Sequence, residues 1–194
     1  MYKKKVVVVI SAKKKSNRLK NKNILPIKNL PMFLFVAKEL AKSKKISKII
    51  ISSDSKFIKK KILENNFEFI QRPNKLTYEK VEKQDVVVHA IKLFAKKHFK
   101  PDVVISVQPN SPQIKYNDID KALDFFNKKL YPGSKKKELL SINSDKIQNA
   151  AFRIMTYQTV FQKTLSTKVG IYFCNYIDIH TSKEYLKAKR ILEK

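Results

Sequence analysis

A chain of 194 residues allows one well-packed domain and not two large ones. No apolar run approaches the ~20 residues that cross a bilayer, so no membrane partner is expected. The net charge of +27 invites nucleic acid, yet only four of the 43 basic residues are arginine and the lysines are spread along the whole chain, so no nucleic-acid partner is expected and the lysines read as a solvated surface.

In chain order, the first element is Val6–Ile10, whose five apolar residues read as a strand buried on both faces. The basic flank before it, Met1–Lys5, is followed by too short an apolar run for a secretory leader, which needs ~7–15 residues. With Cys174 as the single cysteine, no internal disulfide can form, and a cytoplasmic, reducing setting is expected. Phe33, Leu34, Val36, Ala37, Leu40 and Ala41 recur at helical spacing. Lys48–Ser52 reads as a strand, and Ser53 or Asp54 as the cap of a helix carrying Phe57, Ile58, Ile62 and Leu63. Phe67–Gln71 is a third strand, Gln84–Lys97 a helix and Asp102–Val107 a fourth strand. Asn117 or Asp118 is placed as the cap of the next helix. Leu139–Asn143 and Val169–Cys174 look like further strands with an unassigned stretch between them, and Tyr185 to Leu192 suits a closing helix. This β-α-β-α rhythm predicts an α/β fold with a parallel sheet and helices on both faces.

Two loops follow buried strands, where open α/β sheets bind ligands. The first, Ser11 to Ile24, carries Lys13, Lys14, Lys15, Arg18, Lys20 and Lys22, and is matched to a polyanion such as a nucleoside triphosphate. The second, Gln108-Pro109-Asn110-Ser111-Pro112, is stiffened by two prolines and presents an amide and a hydroxyl suited to a base or ribose edge.

The segment from Val8 to Ile24 resembles the opening signature of the acylneuraminate cytidylyltransferases (CMP-sialic acid synthetases), roughly I-P-A-R-G-G-S-K-R-(I/L)-P-x-K-N-I. The likeness continues in order through Ile51-Ser52-Ser53-Asp54, Gln71-Arg72-Pro73, His89-Ala90, Gln108–Pro112 (similar to Q-P-T-S-P) and Asp118–Ala122. It implies a three-layer α/β/α Rossmann-like sandwich with a mostly parallel sheet, of the nucleotide-diphospho-sugar transferase type. The expected organisation is a single domain over 1–194, with a reduced dimerisation insert around 139–169. The implied reaction transfers CMP from CTP to the anomeric hydroxyl of an acidic nine-carbon (nonulosonic, sialic-type) sugar and releases pyrophosphate. Mg²⁺ is the implied metal, Mn²⁺ its alternative, and a homodimer the usual assembly. By position, Lys13 and Lys22 are the expected catalytic pair. Ala12, Lys13, Ser16, Lys22, Asn23, Arg72, Gln108 and Ser111 are the expected nucleotide contacts, and Asp178 the expected metal ligand. His89 and Cys174 receive structural roles.

Several positions depart from the family pattern. Lys14-Lys15 replace its paired glycines, so the backbone approaches a phosphate less readily. Glu79–Lys83 stands where serine hydroxyls are expected, Ile114 where an arginine is frequent and Val169 where an asparagine is. In Tyr176–Thr181, which resembles the family's D-I-D-T metal stretch, Asp178 is retained and His180 replaces the second acid; imidazole is a poor Mg²⁺ ligand. The alternatives are therefore a weakened relative that binds nucleotide or a partner, and a 3-deoxy-manno-octulosonate cytidylyltransferase. The Lys22-Asn23-Ile24 and Gln108–Pro112 motifs favour the sialic-type branch over the latter.

Overall fold

The computed structural model describes residues 4–78, 80–164 and 166–193. The elements run β1 (Val6–Ser11), a two-residue ladder β2 (Pro26–Ile27) and β3 (Leu30–Pro31), α1 (Met32–Leu40), β4 (Lys48–Ser53), α2 (Lys56–Leu63) and β5 (Glu68–Gln71). They continue with α3 (Lys83–Lys97), β6 (Val103–Val107), α4 (Tyr116–Asp124), β7 (Glu138–Ile142), β8 (Gln148–Thr156), α5 (Tyr157–Val160), β9 (Val169–Phe173) and α6 (Ser182–Glu193).

Seven strands form one sheet in the order β5-β4-β1-β6-β8-β7-β9. Both neighbours of β1 are parallel to it: Val8 pairs with Ile49 of β4 and Ile105 of β6. β8 is the one reversed strand, antiparallel to β6 and β7, and β9 pairs parallel to β7. The alternation of β1 explains why its apolar run is unbroken. Val6, Val8 and Ile10 pack under α1, α2 and α4 in one cluster with Phe33, Leu40, Ile58 and Leu123, while Val7 and Val9 cluster with Val87, Ile91 and Phe94 of α3 on the opposite side. A strand buried on both faces needs no polar alternation. The expected α/β sandwich is thus the observed fold. A third apolar group, Ile27, Met32, Ile179, Ala188 and Leu192, docks α6 against the β2–β3 ladder. Among the described residues no helix is long and apolar enough to cross a membrane.

Three local expectations are corrected. Ser55, not Ser53 or Asp54, caps α2, its Oγ accepting from the Ile58 amide at 3.3 Å. Ser53 Oγ accepts from the Ser55 amide and Asp54 Oδ1 from the Lys14 amide at 2.7 Å, so both acceptors serve loops. α4 begins at Tyr116 behind Lys115 and has no side-chain cap; Asp118 Oδ2 instead accepts from the Tyr176 hydroxyl. The unassigned stretch before Val169 holds β8 and α5, so segment 138–173 supplies three strands of the main sheet. Cys174 lies one residue beyond β9, half-buried, its amide donating to Ile142 O at 2.8 Å and its thiol approached by Asn149.

The chain passes from β1 to β4 and β5 on one side, then returns to place β6 on the other. The strand order therefore reverses between β1 and β6, and the loops leaving their carboxyl ends part there to leave a crevice.

Candidate active site

A cleft of about 300 Å³ opens at that crevice. Its walls are Ser11, Lys13, Ser16, Arg18, Lys22 and Asn23 from β1 and its loop, and Arg72, Tyr78 and Lys83 from the β5–α3 connection. Ser106 and Gln108–Asn110 from the end of β6, and His180 from the segment before α6, complete them.

Short polar ties shape the first loop. The Ala12 amide donates to Ser52 O at 3.0 Å, extending the β1–β4 ladder by one residue. The Lys14 amide is held by Asp54, as described above. The buried Asn23 donates from Nδ2 to Lys13 O at 2.8 Å, closing the loop on itself. Asn21, at φ 57, makes the left-handed turn that starts the 3-10 turn Lys22–Ile24. Asparagine tolerates that conformation better than most residues. Lys14 and Lys15 stay exposed and outside the cleft wall, while Lys13 and Lys22 line it.

Lys22 Nζ donates to Ile179 O at 2.9 Å. Burial lowers its pKa to about 8; the Asp178 carboxylate opposes that shift, and Arg18, Lys83 and Lys13 reinforce it. Arg72 is buried and anchored to the end of β4, donating from Nε to Ser52 Oγ at 3.3 Å and from a terminal nitrogen to Ser52 O at 2.9 Å. Burial lowers its pKa to about 10 against the pull of Asp54, and it stays cationic at neutral pH. Lys83, at the first position of α3, remains exposed as a residue. Partial desolvation of its ammonium nevertheless lowers its pKa, with Asp178 opposing and Arg18 reinforcing the shift.

The segment before α6 is fastened to the Gln108–Pro112 loop. The Ile179 amide donates to Asn110 O at 2.8 Å, and Ile179 itself is buried. Asp178 and His180 flank it on one side: His180 Nε2 lies 2.8 Å from Asp178 Oδ2, and Asn110 Nδ2 donates to Asp178 Oδ1. Asp178 is thus bonded to two cleft-wall residues, Asn110 and His180, and does not itself line the cleft.

The structure therefore brings Lys13, Ser16, Lys22, Asn23, Arg72 and Gln108 together on one cleft. It sets Ala12, Ser111 and Asp178 behind it. Ser111 is fully buried, and its Oγ has no hydrogen-bond partner among the described residues. Ile114 is likewise a core residue. His89, on α3, has its pKa lowered by burial and by the Arg72 and Lys75 charges, which disfavour its charged form. Of the Glu79–Lys83 segment, Glu79 lies outside the described residues; Val81 and Lys83 line the cleft. Sequence reasoning missed Lys83 as a site cation; among 43 basic residues nothing in the sequence marks the lysine that starts α3.

The walls thus present five cationic side chains, Lys13, Arg18, Lys22, Arg72 and Lys83, and among the described residues no carboxylate. Such a surface suits a polyanion, with Ser, Asn and Gln side chains left to orient a polar ring system. Among the described residues no group of three or more His, Cys, Asp or Glu could hold a metal ion. The described residues thus form no resident metal cage; Asp178, bonded to the wall residues Asn110 and His180, is the acid placed to meet a cation that would arrive on phosphate oxygens.

Several solved structures share this fold. CMP:2-keto-3-deoxy-manno-octonic acid synthetase complexed with CTP superposes with a TM-score of 0.75 at 14% identity, covering 97% of this chain and 98% of that one. A 4-diphosphocytidyl-2C-methyl-D-erythritol synthase from Anaerococcus prevotii gives 0.70 at 11% identity, with full coverage of both chains. A Mycobacterium tuberculosis protein in complex with manganese gives 0.63 at 11% identity, covering 98% of this chain and 99% of that one. No curated protein matches the sequence. The model of the cytidylyltransferase family matches residues 7–175, nearly the whole span that builds the sheet and the cleft, and the chain belongs to that family.

Proposed function

We propose that the protein transfers CMP from CTP to the hydroxyl of an acidic nonulosonic sugar and releases pyrophosphate. The observation that carries this reading is the meeting of Lys13, Lys22 and Gln108, from two separate loops, on the one cleft at the β1/β6 reversal. In the reaction the acceptor hydroxyl loses its proton and its oxygen bonds to the α-phosphorus. The bond from that phosphorus to the bridging oxygen breaks, and pyrophosphate leaves.

No protein nucleophile is needed; the chain positions the reactants and stabilises charge on the phosphate oxygens. Lys13 and Lys22 reach those oxygens from the β1 loop, and Ser16 and Asn23 set the loop's shape. Arg72, held by Ser52, presents its remaining face near the cytidine. Gln108 reads the base or ribose, while Ala12 and the buried Ser111 support the two loops from behind. When bound, Mg²⁺, or Mn²⁺ in its place, would supply Lewis-acid charge to the phosphates with Asp178 as its protein ligand.

The same reading takes residues 1–194 as one domain, expects a cytoplasmic setting from the lone Cys174, and extends to a homodimer through the reduced insert around 139–169 and the strand that follows it. There the sheet-edge strand β9 exposes Ile171 and Phe173; light scattering tests that assembly. A second reading, an eight-carbon acceptor, draws on the CTP-bound synthetase whose fold this chain shares. The test is pyrophosphate release from CTP with Mg²⁺ or Mn²⁺ and a panel of eight- and nine-carbon 2-keto sugar acids. Release with a nine-carbon acid supports the proposal, and release with the eight-carbon acid alone supports the second reading. CTP binding without release under either metal leaves a nucleotide-binding relative.

A further inference from the structure

Lys83 occupies a position that is electrostatically unfavourable in the empty protein. It is the first residue of α3, where the helix dipole is positive and a cation is disfavoured. Its N-cap, Glu82, makes no side-chain capping hydrogen bond, and Asp85 is the acid of the first turn. The Lys83 ammonium is partly desolvated and repelled by Arg18. No salt bridge joins it to a carboxylate among the described residues; Glu82 and Asp178 act on it only through their fields. An anion in the cleft would pair the Lys83 charge and offset the repulsion from Arg18. Lys83 lines both the main cleft and the adjoining recess bounded by Gln84, Gln148 and Arg153, so it stands at the junction of the two.

We infer that Lys83 is a phosphate-binding residue of this site and carries part of the charge neutralisation that a divalent metal would otherwise supply. The inference rests on the CTP reading above. It follows from the balance of the main cleft's walls, with five cations against no described carboxylate, while Asp178 and Glu82 lie beside Lys83 without pairing to it. A site of this kind holds a nucleoside triphosphate without metal more firmly than one built around paired acids.

The test is calorimetric titration of CTP and CMP into the wild type, Lys83→Ala, Lys83→Arg and Lys60→Ala, each in EDTA and in Mg²⁺. Lys60 lies on the exposed face of α2 and removes the same unit of net charge, so it controls for the general field of a +27 protein. The expected result is measurable CTP binding by the wild type in EDTA. Lys83→Ala should weaken it about tenfold or more, Lys83→Arg should restore most of it, and Lys60→Ala should change it less than about twofold. CMP, which lacks the β- and γ-phosphates, should respond less to Lys83→Ala. Intact CTP binding with equal affinities for Lys83→Ala and Lys60→Ala overturns the role of Lys83 and leaves the functional reading standing. No CTP binding by the wild type in either buffer overturns both.

Discussion

The ammonium of Lys22 donates to the carbonyl of Ile179 at 2.9 Å, joining the loop after the first strand to a segment 157 residues further on. The contact holds the cation at the cleft wall, and burial there lowers its pKa to about 8. Below that pH Lys22 is charged and suited to the proposed phosphate contact; above it the free protein increasingly carries a neutral amine. CTP affinity should therefore fall as pH rises past 8, approaching tenfold per pH unit, with proton uptake on binding near pH 9. Lys22→Arg should flatten that profile, because guanidinium stays charged throughout. Titration calorimetry at pH 7, 8 and 9 reads both effects, and a flat wild-type profile would exclude Lys22 from the phosphate contact.

Arg72 fastens the start of the β5–α3 connection to the end of β4 through two donors on Ser52. Lysine cannot reproduce that fork. Arg72→Lys should lower stability by about 1–3 kcal/mol and also weaken CTP binding. Chemical denaturation alongside a CTP titration checks it; unchanged stability would mean that the guanidinium bonds contribute nothing net.

His180 turns its Nε2 to Asp178, two residues back across the buried Ile179. His180→Asp would put a second carboxylate on the same side of the segment. Mn²⁺ affinity in the presence of CTP, followed by electron paramagnetic resonance, should rise at least several-fold. No change would show that these two side chains cannot converge on one ion.

The 43 basic residues outnumber the 16 acidic ones and leave a net charge of +27. Raising NaCl from about 50 mM to about 500 mM shortens the screening length severalfold, so the melting temperature should rise while CTP affinity falls. Melting temperatures that fall with salt would show that local ion pairs outweigh the global repulsion.

The legible parts of the fold were those where burial is simple. β1, β4 and β6 are enclosed by helices on both faces, and their apolar runs say so directly. β8 was hidden because its polar residues are satisfied by neighbours. Arg153 bonds to Glu138 and Gln84, and the buried Asn149 accepts from Ser141, so neither an alternation nor an apolar run marks the strand. Of the site, Lys13, Lys22 and Gln108 could be placed because each leaves the end of a recognisable strand. Lys83 could not, since one lysine among 43 basic residues differs from the rest only in where the helix start points it. The caps at Ser53 or Asp54 and at Asn117 or Asp118 were misplaced because a short acceptor can serve a neighbouring loop, or a tyrosine, equally well.

The central claim is that the cleft between β1 and β6 is a CTP site. Titrating CTP, UTP, ATP and GTP into the wild-type protein, with Lys13→Ala, Lys22→Ala and Gln108→Ala in parallel, tests it most directly. The account predicts preferential CTP binding, weakened by each lysine substitution, with the preference for cytidine lost in Gln108→Ala. Equal binding of all four nucleotides, or CTP binding indifferent to all three substitutions, would contradict it.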